Sequence, residues 1–156
     1  MRMGGILSPA RYDDSGQKTG IDVLDVTTGQ RRALAIVTCN PQETTVGEYQ
    51  FHGQAMRWAL ERVLSALAAP LDVVIVDEIG PLELRHEEGF APALDRLSTS
   101  CAHVAVLIVR SSLVLQVQKK LAVLHPARIG LSRDNRDDIP TRLYETVCNM
   151  LADPKD

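Results

Sequence analysis

The chain has 156 residues, a formal net charge of -3 and a sequence pI near 5.8. That length suits a single domain with one hydrophobic core, and the acidic balance argues against a broad nucleic-acid-binding surface. The longest uninterrupted apolar run, residues 104–109, is far too short to span a bilayer. We therefore expect no nucleic-acid partner and no membrane partner.

The three cysteines, Cys39, Cys101 and Cys148, are isolated in the sequence and form neither a Cys-x-x-Cys pair nor a Cys/His cluster. Reduced thiols are the simplest interpretation, and a zinc site is not expected. No long apolar region follows the initial Met-Arg-Met-Gly-Gly, so no signal peptide is predicted. Together these features predict a cytoplasmic protein.

The first part of the chain, residues 4–38, is predicted to form an antiparallel β meander. A short strand begins at Gly5 and ends at Pro9, and two further strands cover residues 21–26 and 32–37. Polar turns at residues 13–16 and 27–30 separate these strands. Residues 39–52 are irregular and polar, so no regular element is predicted before residue 53.

The second part, residues 53–152, is predicted to be an α/β core in which helices and strands alternate. Met56, Leu60, Val63 and Leu67 share one helical face, and Pro70 ends that helix. The further predicted elements are strands over 72–77, 103–109 and 127–131, a loop over 82–88, and helices over 88–99, 113–123 and from 139 to about 152. Ser112 is the expected cap of the third helix and Asp137 or Asp138 that of the last, with a frayed tail from Asp153. This alternation predicts a mostly parallel sheet with right-handed crossovers.

Two adjacent carboxylates, Asp77 and Glu78, follow the apolar run Val73–Val76. A short continuous apolar run is typical of a strand buried on both faces, and ligands of open α/β sheets bind at the carboxyl ends of the strands. An acid pair in that place is typical of the Walker B arrangement, in which the first acid holds Mg²⁺ and the second positions a water molecule. An acid that merely closes a buried strand is the alternative interpretation.

Several ordered segments resemble the small nucleoside-triphosphatase family sometimes called cancer-related NTPases, which are P-loop proteins with a RecA-like sheet. Segment 76–84, Val-Asp-Glu-Ile-Gly-Pro-Leu-Glu-Leu, is the most specific match, because the family signature is Asp-Glu-Ile-Gly-x-Met-Glu-Leu. Weaker matches are Gly5–Pro9, Gly20–Asp25, Val46–Tyr49 and Asn135–Asp137. The resemblance covers nearly the whole chain and implies one three-layer, RecA-like α/β domain over residues 1–156.

The family also begins with a strand and a Gly-x-x-x-x-Gly-Lys-Ser/Thr loop, and the sequence contains no such motif. Gly16-Gln17-Lys18-Thr19 does not match it, because the lysine does not follow a glycine directly. We therefore expect the first strand–P-loop–helix unit, roughly 30 residues, to be absent. Without that loop a nucleotide loses most of its phosphate contacts, so the isolated chain is expected to have negligible triphosphatase activity.

The resemblance assigns Glu78 as the catalytic residue and Asp77 as the ligand of Mg²⁺, which would bind only together with a nucleotide. Arg110, at the end of a strand, could face a γ-phosphate or be a solvated arginine. Glu83 could orient a nearby loop or be a surface charge. Asn135 and Arg136 could line the nucleotide pocket or form only the turn into the last helix.

Three interpretations of the missing loop remain open. The loop lies in a partner chain or an upstream segment; the chain is a degenerate, non-catalytic interaction or regulatory module; or the start codon is misassigned. In RecA-like sheets the P-loop strand is internal, so strands 103–109 and 127–131 either pair directly or leave a gap that another chain fills. The uncovered sheet face favours association, and we expect a homodimer or a P-loop-bearing partner protein. A nucleoside triphosphate is expected to bind only weakly or conditionally.

Overall fold

The computed structural model describes residues 1–38 and 45–152, without the side chains of Thr45 and Val46. Cys39 and the tail from Asp153, for which the sequence predicted a free thiol and fraying, lie outside the described residues. The strands are β1 (Met3–Leu7), β2 (Ala10–Tyr12), β3 (Lys18–Asp25), β4 (Arg31–Val37), β5 (Thr45–Val46), β6 (Tyr49–Phe51), β7 (Val73–Ile79) and β8 (Val104–Val109). The α-helices are α1 (Gly53–Ala68), α2 (Pro81–Arg85), α3 (Ala91–Arg96), α4 (Val114–Lys120) and α5 (Ile139–Ala152).

Among the described residues, the eight strands form one mixed sheet in the order β5-β6-β4-β3-β1-β7-β8, with β2 paired to β3. Strand β1 joins the two parts of the sheet, since it runs antiparallel to β3 and parallel to β7. Only the β1–β7 and β7–β8 pairs of the described chain are parallel. The prediction of an α/β fold with an N-terminal meander is confirmed, whereas the prediction of a mostly parallel sheet is wrong, because the meander strands belong to the same sheet.

The contact between β1 and β7 depends on a glycine. Gly5 has a φ of +97°, and a Cβ atom at this position would lie 2.0 Å from the carbonyl oxygen of Ile75. A residue other than glycine would therefore be strained at this φ, and its side chain would collide with the backbone of the neighbouring strand. Gly5 allows β1 to lie beside β7, which places the residues that follow β1 next to the carboxyl end of β7.

Helices cover both faces of the sheet. The larger core lies on the α1 side, where Ile6, Val74 and Val76 pack with Ala59 and Val63 of α1 and with residues of α3 and α4. On the opposite face Val73 and Val104 pack against Val147 of α5. The arrangement is therefore helix, sheet, helix.

Four local predictions were wrong. Strands β5 and β6 lie within residues 39–52, which were predicted to be irregular. Residues 127–131, predicted as a strand, carry no regular structure, and β8 pairs only with β7 among the described residues. Segment 81–85 is a short helix rather than a loop, since Pro81 suits the first turn of a helix. Leu113, not Ser112, precedes α4. The last helix begins at Ile139, directly after Asp138, in agreement with the prediction. None of the described helices has the length and apolar character needed to cross a membrane.

Candidate functional site

The acid pair lies near the carboxyl end of β7, between two parallel neighbours. Asp77 pairs in register with Ile108 of β8, and the register then shifts between Asp77 and Ile79. The peptide bond between Asp77 and Glu78 is cis. The sequence therefore placed these two acids correctly, at the edge where open α/β sheets bind their ligands.

Ser8, which follows β1, forms hydrogen bonds with Asp77. Its backbone N–H donates to Asp77 Oδ2 at 2.9 Å, and its hydroxyl donates to the Asp77 carbonyl oxygen. Burial raises the pKa of the Asp77 carboxyl; the Ser8 N–H opposes that shift and the nearby Glu78 adds to it. Ser8 was missed as a site residue. The sequence did contain a signal for it, because Ser8 is the hydroxyl residue of segment Gly5–Pro9, which matches a family segment.

Arg110 is brought directly to Glu78. It follows β8, its N–H donates to the Ile79 carbonyl oxygen at 3.3 Å, and its Nε donates to Glu78 Oε1. The Glu78 and Arg110 side chains are 36% and 50% exposed, so this ion pair remains open to solvent. Arg110 therefore contacts the acid pair, and its role towards a γ-phosphate stays a prediction.

Glu83, in α2, lies next to the turn at residues 78–80, which carries Glu78. It is 5% exposed, which excludes the interpretation of Glu83 as a surface charge. Its Oε2 accepts the N–H of Gly80 at 2.8 Å and its Oε1 accepts the N–H of Phe90 at 3.2 Å. Burial raises the pKa of this carboxyl, the two backbone donors lower it, and the charge of Glu78 raises it further. Glu83 thus contacts the turn that carries Glu78.

Asn135 and Arg136 are placed in the segment before α5. The Asn135 side chain accepts the N–H of Ser132 at 2.8 Å and donates to the Gly130 carbonyl oxygen at 2.9 Å, so it braces its own loop. Arg136 is exposed. The structure brings neither residue to the acid pair, and their role in nucleotide binding stays a prediction.

A small cavity of about 50 Å³ opens beside the acid pair. Its polar lining comes from Ser8, Glu78, Glu83 and Arg110. Its apolar lining comes from the meander, α1 and the segment after β7, and consists of Ile21, Leu34, Tyr49, Phe51, Met56, Pro81, Leu82 and Phe90. Since a water molecule needs ~10–15 Å³ of such space, the cavity has room for a water molecule between its polar groups.

The role of Asp77 as a magnesium ligand stays a prediction. Across residues 1–38 and 45–152, no group of three or more His, Cys, Asp or Glu residues is arranged to hold a metal ion. Asp77 Oδ2 accepts the Ser8 N–H, and no other donor of the described chain contacts this carboxylate. Mg²⁺ commonly binds to one or two carboxylates together with substrate phosphates and water, so a single carboxylate is sufficient for that mode.

Comparisons with known proteins identify the family. A protein-family profile described as NTPase matches residues 1–144. The nucleoside-triphosphatase THEP1 of Methanopyrus kandleri is 30% identical over 97% of this chain and 82% of its own length. The THEP1 of Methanothermobacter thermautotrophicus is 28% identical over 97% of this chain and 80% of its own length.

A solved structure supports the same assignment at the level of the fold. The crystal structure of THEP1 from the hyperthermophile Aquifex aeolicus superposes with a TM-score of 0.65 at 19% identity, covering 94% of this chain and 84% of that protein. The resemblance noted in the sequence is therefore confirmed for the family and for the fold. The chain belongs to the NTPase_1 family, the family of the THEP1 nucleoside-triphosphatases.

Proposed function

We propose that this chain supplies the carboxylate half of a nucleoside-triphosphatase site, which hydrolyses a nucleoside triphosphate to the diphosphate and phosphate. The phosphate-binding loop of that site comes from outside the 156 residues, as a partner chain or an upstream segment. The observation that carries the proposal is the convergence of Asp77, Glu78 and Arg110 at the carboxyl edge of β7.

Each of the three side chains has a distinct task in this proposal. Asp77 would hold Mg²⁺ together with the nucleotide, and the bound ion would supply positive charge beside the phosphates. Glu78 accepts a hydrogen bond from the attacking water and orients it. Arg110 faces the γ-phosphate, where its guanidinium neutralises the charge that develops as the phosphoryl group is transferred.

The isolated chain is expected to be almost inactive. Phosphoryl transfer depends on positioning and on neutralising the charge of the phosphates, and a glycine-rich loop supplies most of those contacts through its backbone N–H groups and lysine. The sequence shows no such loop. Asp77 alone would hold the magnesium nucleotide too weakly to keep the γ-phosphate beside Glu78.

The sheet offers a place for the missing unit. Strand β8 has a neighbour on one side only within the described chain, and Ile108 on its α5 face is 39% exposed. Met3 and Leu7, on the same face of β1 by strand alternation, are 46% and 37% exposed. A strand added at β8 would bring its following loop next to Arg110 and would give residues 127–131 a strand to pair with.

A second candidate function is a non-catalytic interaction or regulatory module that kept the sheet. The 156 residues contain no Gly-x-x-x-x-Gly-Lys-Ser/Thr motif, which is the observation that favours it. This candidate predicts no nucleotide binding in any combination of chains, and no effect of Asp77→Asn beyond an effect on folding.

The discriminating experiment is a phosphate-release assay on the chain alone and on the chain fused behind a strand–P-loop–helix segment taken from a THEP1 relative. We expect magnesium-dependent turnover from the fusion and none from the chain alone. Turnover by the chain alone that Glu78→Gln abolishes would contradict the dependence on an outside loop. A folded fusion that binds no nucleotide would favour the non-catalytic module. Translation of the DNA upstream of Met1 in frame tests the third interpretation directly.

A further inference from the structure

The turn that carries Glu78 is held by a second, buried glutamate. Glu83 Oε2 accepts the N–H of Gly80 at 2.8 Å, and Glu83 Oε1 accepts the N–H of Phe90 at 3.2 Å. One carboxylate therefore joins the two ends of segment 80–90. Hydrogen bonds to a charged acceptor are stronger than those between neutral groups, so this connection restrains both ends of the segment.

The chain closes tightly over that carboxylate. Gly89 has a φ of +57°, and a Cβ atom there would lie 2.4 Å from Glu83 Oε1 and 2.8 Å from Leu82 Cδ2. Among the described residues no cation forms an ion pair with Glu83, so backbone N–H groups are its partners. A buried carboxylate with backbone donors but no counter-ion is costly to fold, which is unexpected for a residue that serves only packing.

The same turn is held on its other side by Arg110. The Arg110 N–H donates to the Ile79 carbonyl oxygen, and Arg110 Nε donates to Glu78 Oε1. A Cβ atom on Gly80 would lie 3.7 Å from Arg110 Nε and 3.7 Å from Glu83 Oε2. Gly80 thus lies between the Arg110 and Glu83 side chains.

We propose that Glu83 is a positioning residue for Glu78. By accepting the N–H of Gly80 it fixes the backbone two residues after Glu78, so that the Glu78 carboxylate stays within reach of Arg110 and of the cavity. The inference rests on the proposed function at one point. The position of Glu78 matters because Glu78 is proposed to orient the attacking water. A displacement of about 1 Å at such a group is enough to lower a rate about a hundredfold.

The test uses nuclear magnetic resonance on the 156-residue chain without nucleotide. Amide hydrogen exchange at Gly80 and Phe90 reports the two hydrogen bonds of Glu83. The Nε–H resonance of Arg110 reports where the Glu78 carboxylate lies, and Glu78→Gln gives the reference for a lost contact. The variants are Glu83→Ala and Glu83→Gln, and Glu88→Gln, an exposed glutamate of the same segment, is the matched control.

In Glu83→Ala we expect exchange at Gly80 and Phe90 to rise about tenfold to a hundredfold. The Arg110 Nε–H signal should move towards its position in Glu78→Gln. Glu83→Gln keeps the side-chain volume but only one acceptor, so it should free one of the two amides; it replaces the alanine variant if that variant does not fold. Glu88→Gln should change none of these signals.

An unchanged Arg110 Nε–H signal in a variant whose Gly80 amide has lost protection overturns the proposal, because Glu83 would then support the loop without placing Glu78. Unchanged exchange at Gly80 and Phe90 overturns it as well. Neither readout needs a nucleotide, so a failure of the proposed triphosphatase function would leave these results interpretable on their own.

Discussion

At the scale of single residues, the site is a set of side chains that contact one another across strands that are distant in sequence. The motif around Asp77 and Glu78 was sufficient to predict the acid pair, and the end of the next strand pointed to Arg110. Ser8 could not be predicted in the same way, because its contact with Asp77 depends on the parallel pairing of β1 with β7. Pairing between distant strands is not encoded in any local pattern.

Gly5 is the residue whose replacement should do the most damage to this pairing. Gly5→Ala would place a methyl group 2.0 Å from the Ile75 carbonyl oxygen, so we expect a loss of ~3 kcal/mol or more in the free energy of unfolding, measured in urea. Gly16→Ala is the matched control, because Gly16 also has a positive φ of +81° but nothing within 4 Å of the added atom. It should cost only ~1 kcal/mol. Equal losses in the two variants would show that β1 does not approach β7 closely.

Asp77→Asn should stabilise the protein at neutral pH. Because burial raises the folded-state pKa of Asp77, the folded chain retains this proton at pH values where the unfolded chain has lost it. The contribution of the Asp77 carboxyl to the free energy of unfolding is therefore greatest below the ordinary carboxyl pKa of ~3.9. It declines as the pH rises through the folded-state pKa. We expect the free energy of unfolding of Asp77→Asn to exceed that of the native chain at pH 7 and the difference to vanish near pH 3. The exposed Asp134→Asn is the control, and a gain that is constant with pH would contradict the assignment.

At the scale of elements, the strand predicted over residues 127–131 shows where local patterns fail. Its alternating Ala127, Ile129 and Leu131 suit a strand, but a strand needs a hydrogen-bonding neighbour, and Leu131 is 71% exposed. The long helix α1 was predicted closely because its apolar residues repeat along one face over several turns. The periodicity of a helix can be recognised in the segment itself, whereas a strand also depends on the strand with which it pairs.

Helix α5 is expected to be the least firmly attached element of the described core. Val147 is its one buried residue in the described chain and packs with Val73 and Val104 in a small cluster, against which partly buried residues such as Ile75 and Val106 also pack. Val147→Asp should release the helix, because a buried, unpaired carboxylate costs several kcal/mol. We expect the α5 amides to exchange as rapidly as an unstructured peptide while the amides of β7 remain protected. Tyr144→Asp, on the same helix but 64% exposed, should leave α5 in place. Loss of protection throughout β7 would show that α5 belongs to one cooperative unit with the sheet.

At the scale of the whole molecule, the open edge of β8 and the apolar face beside it make association the expected behaviour. Ile108, in register with Asp77 near the carboxyl end of β8, is 39% exposed, and Leu7, the last residue of β1, is 37% exposed. Exposed apolar patches next to an unpaired strand are typical of surfaces that bind another chain. We therefore predict that the purified chain is a homodimer at micromolar concentration when no loop-bearing partner is present.

Light scattering tests this prediction. Ile108→Lys should shift the chain towards the monomer, because it places a charge on the exposed face. Leu115→Lys is the control, since Leu115 is 78% exposed but belongs to α4. A native chain that is already a well-behaved monomer at micromolar concentration would contradict the expected association.

The acid pair is proposed to serve phosphoryl transfer once a phosphate-binding loop is supplied. The most direct measurement is magnesium-dependent phosphate release by the loop-bearing fusion and by its Glu78→Gln and Glu88→Gln variants, with nucleotide binding measured on the same samples. We expect Glu78→Gln to bind the nucleotide as the native fusion does but to lose turnover about a hundredfold or more, while Glu88→Gln retains it. Turnover that survives Glu78→Gln unchanged would contradict the account.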